Sequence, residues 1–225
     1  MKQIIAIGGG GFTAFQSELK IEKYLLSLVN KAKPKIGFLP QASNEDRAYV
    51  TKFYETFLAL NAEPMWLSLF GRVHLNWERV LLEQDIIYVG GGNTKSMLAL
   101  WQEWGVDKVL KQAYENGTVL SGISAGAICW FEQGVTDSTW PLSVINCLGF
   151  LTGSCCPHFD TEIEREPFYK EQVKQGSAVA GIALQDNTAA HFIDGKLHKI
   201  IKSVAHKKAF LLSADNQQEL PCEAL

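Results

Sequence analysis

The sequence predicts an α/β protein built on a mainly parallel sheet. Three observations carry that prediction. Short runs dominated by apolar residues recur at Ile4–Ile7, Lys35–Leu39, Asp85–Val89 and Thr118–Ser121, and unbroken runs of this kind mark parallel strands buried on both faces. Longer amphipathic stretches separate them, as βαβ units require. The runs end at Gly8, Pro40, Gly90 and Gly122, residues that stop a strand and open a loop.

Taken in order, Ile4–Ile7 is the first strand. Residues 15–30 then carry Leu19, Tyr24, Leu25, Leu28 and Val29 among charges, a helical spacing. Lys35–Leu39 is the second strand. Ser43 to Asp46 offer capping side chains for a helix running to about Leu60. Glu63–Leu69 is the third strand and Asp85–Val89 the fourth. Thr94 to Gln112 is helical in composition, with a break expected at Gly105. Thr118–Ser121 is the fifth strand, and Ala125–Phe131 is expected to open a helix. In the last third, Ala189–Phe192 and Lys196–Ile201 flank Asp194-Gly195, a pair suited to a two-residue hairpin turn. A C-terminal β-hairpin is therefore expected, with Ala209–Ser213 as one more strand. Neither a linker-like stretch nor a repeat divides the chain, so a single domain over residues 1–225 is expected.

The composition narrows the function classes. Of 225 residues, 47% are hydrophobic and 20% charged, a balance that fills a large core and excludes a disordered chain. The net charge of -3 offers no long-range attraction for phosphate backbones, so no nucleic-acid partner is expected. No window holds ~18 uncharged apolar residues, so no membrane span is expected, and the run at Ile4 is too short for a secretion signal. The five cysteines include no C-x-x-C pair, which suits free thiols and a cytoplasmic location. Cys155, Cys156 and His158 come nearest to metal spacing, too few ligands for a structural zinc. The Gly8-x-Gly10 run lacks the third glycine of a dinucleotide fingerprint. Neither metal nor cofactor is expected.

Ligands of an open parallel sheet bind beyond the carboxyl ends of its strands. Four loops belong to that edge: Gly8–Gly11, Pro40–Asn44, Gly90–Thr94 and Gly122–Gly126. The last reads Gly122-Ile123-Ser124-Ala125-Gly126, a G-x-S-x-G between a predicted strand and a predicted helix, the context a nucleophile elbow requires. Such a turn lifts the Ser124 hydroxyl clear of the backbone, beside N–H groups able to stabilise an oxyanion. A tight turn with an N-capping serine would use the same residues.

A serine hydroxyl needs a base. His74, His191, His198 and His206 lie on connections or on the presumed hairpin, whereas His158 follows a further strand-like run and belongs to the same rim. The base needs an orienting acid, for which Glu132, Asp137, Asp160 and Asp186 are candidates that spacing does not separate. Glycines at 90–92 let a second backbone N–H approach the oxyanion, and an anion nest would have the same composition. Arg165 is placed to clamp a substrate carboxylate, or to pair with the acids around it at Glu162, Glu164 and Glu166.

In order and spacing, Ile7-Gly8-Gly9-Gly10, Val89-Gly90-Gly91-Gly92-Asn93-Thr94, Gly122-Ile123-Ser124-Ala125-Gly126-Ala127 and Pro157-His158-Phe159-Asp160 resemble the dipeptidase E (aspartyl dipeptidase) family of serine peptidases, which includes cyanophycinases. The resemblance spans roughly residues 4–195. It implies a class I glutamine amidotransferase-like fold, a three-layer α/β sandwich, with Ser124 as nucleophile and His158 as base. It implies Asp137 as the acid, with Asp186 as the alternative. It implies an oxyanion hole from Gly91 and Ala125, and substrate contacts from Asn93 and Thr94. The residues that select an N-terminal aspartate in dipeptidase E have no clear counterpart here.

The reading is a serine peptidase acting on short peptides, with a dipeptidase foremost. A serine esterase of the α/β-hydrolase kind shares the elbow, but the stretch between Ser124 and His158 is short for that fold. A non-catalytic small-molecule binding domain would use the same loops without turnover. A cysteine nucleophile is disfavoured because Cys129 lies beyond the turn. Met97, Leu98, Leu100 and Trp101 suit either the core or a homodimer interface, with the core expected.

Overall fold

The computed structural model describes residues 1–14 and 18–225, so the first part of the helical stretch expected at 15–30 lies outside the described residues. The first half contains β1 (Gln3–Ile7), α1 (Lys20–Ser27), β2 (Lys35–Leu39), α2 (Arg47–Ala59), β3 (Glu63–Trp66), α3 (Trp77–Leu82), β4 (Ile86–Val89), α4 (Thr94–Trp104) and α5 (Val106–Glu115). Then come β5 (Val119–Ile123), α6 (Ala125–Ile128), β6 (Phe131–Thr136), β7 (Ser143–Asn146), β8 (Leu151–Cys156) and α7 (Arg165–Lys174). The last part holds β9 (Gly181–Leu184), β10 (Thr188–Ile193), β11 (Lys196–Lys202), β12 (Ala209–Ser213), β13 (Asn216–Leu220) and β14 (Cys222–Ala224).

The fold is mixed α/β, with a mainly parallel eight-stranded sheet and a mixed six-stranded one. Eight strands form the order β14-β11-β10-β1-β5-β4-β2-β3, and six form β13-β12-β9-β8-β6-β7. Strand β1 runs parallel to β5 and antiparallel to β10. Its residues divide between two cores: Ile4 and Ala6 face Val89, Met97 and Trp101, while Ile5 and Ile7 face Phe38, Phe53 and Tyr88. Burial on both faces is why the strand reads as an unbroken apolar run. Each such side chain contributes about 1.5–3 kcal/mol when taken out of water.

Local signals set the helix ends. The Asp46 carboxylate accepts the Tyr49 N–H at 2.7 Å and caps α2, an arrangement worth about 1 kcal/mol. Gly105, at φ 73°, ends α4 and starts α5. The helix expected over Ala125–Phe131 is only the four-residue α6, because the Trp130 and Phe131 carbonyls accept the N–H groups of Leu151 and Gly149. The chain turns there into the second sheet. Met97 and Trp101 are buried, and Leu98 and Leu100 pack against the same core. The hairpin of β10 and β11 is antiparallel as expected. Among the described residues no helix is long and apolar enough to cross a membrane.

His191 on β10 gives the fold a pH dependence. Its Nδ1 lies 2.7 Å from the Tyr24 hydroxyl and its Nε2 3.1 Å from Gln3 Oε1. Burial, reinforced by the neighbouring His198 and Lys199, pushes its pKa down to about 4. An unfolded histidine titrates near ~6.5, so the unfolded chain binds the extra proton between those values. This contribution to stability is complete above about pH 6.5 and is lost as pH falls toward 4. Urea unfolding at pH 7 and pH 4.5 is expected to show about 2 kcal/mol of loss from this residue, and His191→Gln should flatten the slope across that window.

Candidate active site

The two glycines of G-x-S-x-G are dictated by backbone contact. A Cβ on Gly126 would lie 2.2 Å from the Val89 carbonyl oxygen, and one on Gly122 would lie 2.3 Å from the Gly126 carbonyl oxygen. Between them Ser124 adopts φ 57°, ψ -113°, a conformation that L-residues avoid unless the surrounding structure imposes it. The turn leads from β5 directly into α6. Gly91 closes against it, since a Cβ there would meet Ser124 Cβ at 3.2 Å.

The end of β1 organises the remainder. The Ile7 carbonyl accepts the Ser124 N–H at 3.1 Å, and the next carbonyl, of Gly8, accepts the His158 N–H at 3.0 Å. The serine and the histidine thus hang from consecutive peptide units. Gly9 follows beneath the histidine, where a Cβ would overlap Asp186 Oδ1 at 1.9 Å and His158 Nδ1 at 2.6 Å.

His158 Nδ1 pairs with Asp186 Oδ1 at 2.7 Å. The Asp186 carboxylate also accepts the Thr161 hydroxyl at 3.2 Å, and its backbone N–H donates to Asp160 Oδ1 at 2.9 Å. Asp160 in turn pairs with Lys207. Burial alone would raise the Asp186 pKa, but the hydrogen bonds from His158 and Thr161 and the charges of His158 and Lys207 outweigh it and hold the carboxyl below its usual range. An ionised carboxylate only accepts, so Nδ1 carries the hydrogen and Nε2 is the nitrogen left for chemistry.

Several predicted residues lie elsewhere. Asp137 does not face His158; it is 62% exposed and pairs with Arg165 at 3.6 Å. Of the two acids it is the alternative, Asp186, that the structure brings to His158, because the loop after β9 folds back over Gly9, whereas Asp137 pairs with Arg165. Arg165 is 2% exposed, with its guanidinium bonded to Glu162 Oε2 at 2.5 Å and to the Val135 carbonyl at 3.1 Å. These partners are the pairing with local acids that the sequence also allowed, and they hold the guanidinium inside the protein. Asn93 caps α4 through Ser96 and donates to the Ser138 carbonyl at 3.2 Å. Thr94 is buried and its hydroxyl accepts from Thr136, whereas Asn93 is partly exposed. Cys129 is buried, with its thiol pushed well up by burial, unsuited to nucleophilic attack. Cys155 and Cys156 belong to opposite cores of successive strand positions rather than to one ligand set.

Three contributors escaped the sequence reading. These are Thr161 on the acid, Ser138 on Asn93, and Tyr49, whose hydroxyl accepts the Gly91 N–H at 3.3 Å. Thr161 had a signal in its position three residues after His158. Tyr49 had none, because an aromatic on a helix face reads as core.

A strained serine on a strand-turn-helix elbow, with a histidine–aspartate pair seated on the adjacent peptide unit, is the arrangement of the nucleophile-elbow hydrolases. The profile of peptidase family S51 matches residues 4–200, and the chain belongs to that family. It is 46% identical over 210 residues to the uncharacterized peptidase YgaJ of Bacillus subtilis (strain 168), covering 93% of this chain and 91% of that protein. Two crystal structures share the fold. A peptidase from an acI-B1 Actinobacterium matches with a TM-score of 0.72 at 17% identity, over 99% of this chain and 95% of that one. A putative peptidase E protein from Listeria monocytogenes EGD-e matches with a TM-score of 0.61 at 16% identity, over 97% and 98%.

Proposed function

We propose that this chain is a serine peptidase of short peptides, a dipeptidase in the first instance, with Ser124 as nucleophile, His158 as general base and Asp186 as orienting acid. The observation that carries the reading is the left-handed Ser124 seated one peptide unit from a histidine whose far nitrogen is fixed by a carboxylate. His158 Nε2 takes the hydroxyl proton as Ser124 Oγ attacks the scissile carbonyl. The tetrahedral oxyanion is held by the N–H groups of Ala125 and Gly91. The Gly91 N–H donates to Tyr49 at 3.3 Å, long for such a bond, so exchanging that partner for a developing anion costs little. His158 then protonates the leaving amine, the C–N bond breaks, and water attacks the acyl-serine with His158 again as base. Asp186 stabilises the imidazolium without taking its proton.

The test is intact-mass spectrometry after treatment with a fluorophosphonate. The expected result is one adduct on the wild type and none on Ser124→Ala or His158→Ala. A folded wild type that takes no adduct, and hydrolyses no dipeptide, would refute the assignment.

A further inference from the structure

Trp140 and Ile163 are large apolar side chains left 84% and 87% exposed. They are far apart in sequence but face the same cavity, of about 520 Å³. A pair of such side chains turned to solvent around one hollow marks a binding surface rather than chance exposure. Leu142 completes its apolar lining.

The cavity is joined to the site from two sides. One wall contains Thr161, whose hydroxyl bonds the Asp186 carboxylate. The other is the segment from Asp137 to Leu142, tethered through the Ser138 carbonyl to Asn93, two residues past Gly91. Both walls of the hollow are thus hydrogen-bonded, directly or through a neighbouring residue, to the acid of the pair and to the residue that follows the glycine loop. Its charges are unbalanced: Asp137, Glu162 and Glu164 line it, and the single cation, Arg165, is buried and already bonded to Glu162, Asp137 and Val135.

We propose that this cavity is the side-chain subsite of the enzyme, that it takes a large apolar residue of the peptide on Trp140 and Ile163, and that it rejects an acidic one. The inference rests on the peptidase reading above. One buried methylene group is worth about ten-fold or more in kcat/KM in such a pocket, and a carboxylate placed among like charges is disfavoured.

Six dipeptides test it: Phe-Ala, Ala-Phe, Asp-Ala, Ala-Asp, Ala-Ala and Leu-Ala. At the position that reads the cavity, kcat/KM is expected to favour Phe over Ala by at least about ten-fold, and Ala over Asp by a similar factor. Trp140→Ala should lower the Phe-to-Ala ratio about ten-fold, mainly through KM. Glu164→Lys should raise the Asp-to-Ala ratio several-fold. Where turnover is slow, the same peptides are ranked by how far they protect Ser124 from the fluorophosphonate. Selectivity for aspartate, or ratios unmoved by both variants, or no protection by any peptide, would overturn the subsite while Ser124 labelling still upholds the peptidase. A Trp140→Ala chain that changes from dimer to monomer with its selectivity intact would assign the patch to a second copy, and would overturn it too. If Ser124 is neither labelled nor active on any peptide, the peptidase reading itself fails.

Discussion

Asp186→Asn is expected to lower kcat/KM by about ten-thousand-fold on any peptide the wild type hydrolyses. The carboxylate accepts the Nδ1 hydrogen of His158 and so leaves Nε2 free to take the serine proton. An amide in its place turns an N–H toward Nδ1 and favours the opposite tautomer, with the hydrogen on Nε2. Thr161 and the Asp160-bound backbone hold the side chain in place, so the variant should keep the wild-type fold while losing the chemistry. Asp137→Asn is the decisive companion. That carboxylate is exposed and pairs with Arg165, so its loss should act on KM by no more than about ten-fold. Steady-state kinetics on both variants, with fluorophosphonate labelling rates alongside, separates the two acids. Equal losses would remove Asp186 from the mechanism.

The second large effect falls on stability. Gly126→Ala should cost about 3 kcal/mol, lowering Tm by roughly 6–12 °C for a chain of this size. The added methyl would lie 2.2 Å from the Val89 carbonyl oxygen, and both groups are backbone. Relief requires α6 to move away from the end of β4, which also displaces Ser124. Gly105→Ala calibrates the measurement. Nothing lies within 4 Å of its Cβ position, so only the positive φ of 73° counts, at about 1 kcal/mol. Thermal unfolding of both variants is expected to rank them in that order. A Gly126→Ala chain as stable as the wild type would mean that the elbow tolerates a wider turn.

Much of this was legible because the relevant forces are local. Gly105 announced its helix break, and Asp46 its cap. The apolar runs at Ile4 and Ile86 marked strands that both cores cover. The Ser124 turn was legible because two glycines flank it at a spacing that only a tight crossing explains. What stayed hidden depends on contacts between distant segments. Strand β13 is Asn-Gln-Gln-Glu-Leu, with no alternation to mark it, and it forms only because β12 offers a partner edge. The stretch after Ile128 leaves the helix because carbonyls of 130 and 131 are claimed by residues near 150. Which of Asp137 and Asp186 meets His158 depends on which loop folds over Gly9. Arg165 read either as a ligand clamp or as a partner of nearby acids, and the structure pairs it with Glu162 and Asp137.

The position of β1 in the sheet bears on how such an enzyme comes into being. Ile4 pairs with Leu120 on one side and with Phe192 on the other, so the strand that seats both Ser124 and His158 emerges from the ribosome well before either neighbour. Pairings this distant in sequence close late. A growing chain therefore carries Ser124 on its seat at Ile7 for some time before His158, Asp186 and strand β10 have been made. On the proposed reading, the order of synthesis alone keeps the serine apart from its base and acid until the last third of the chain is made.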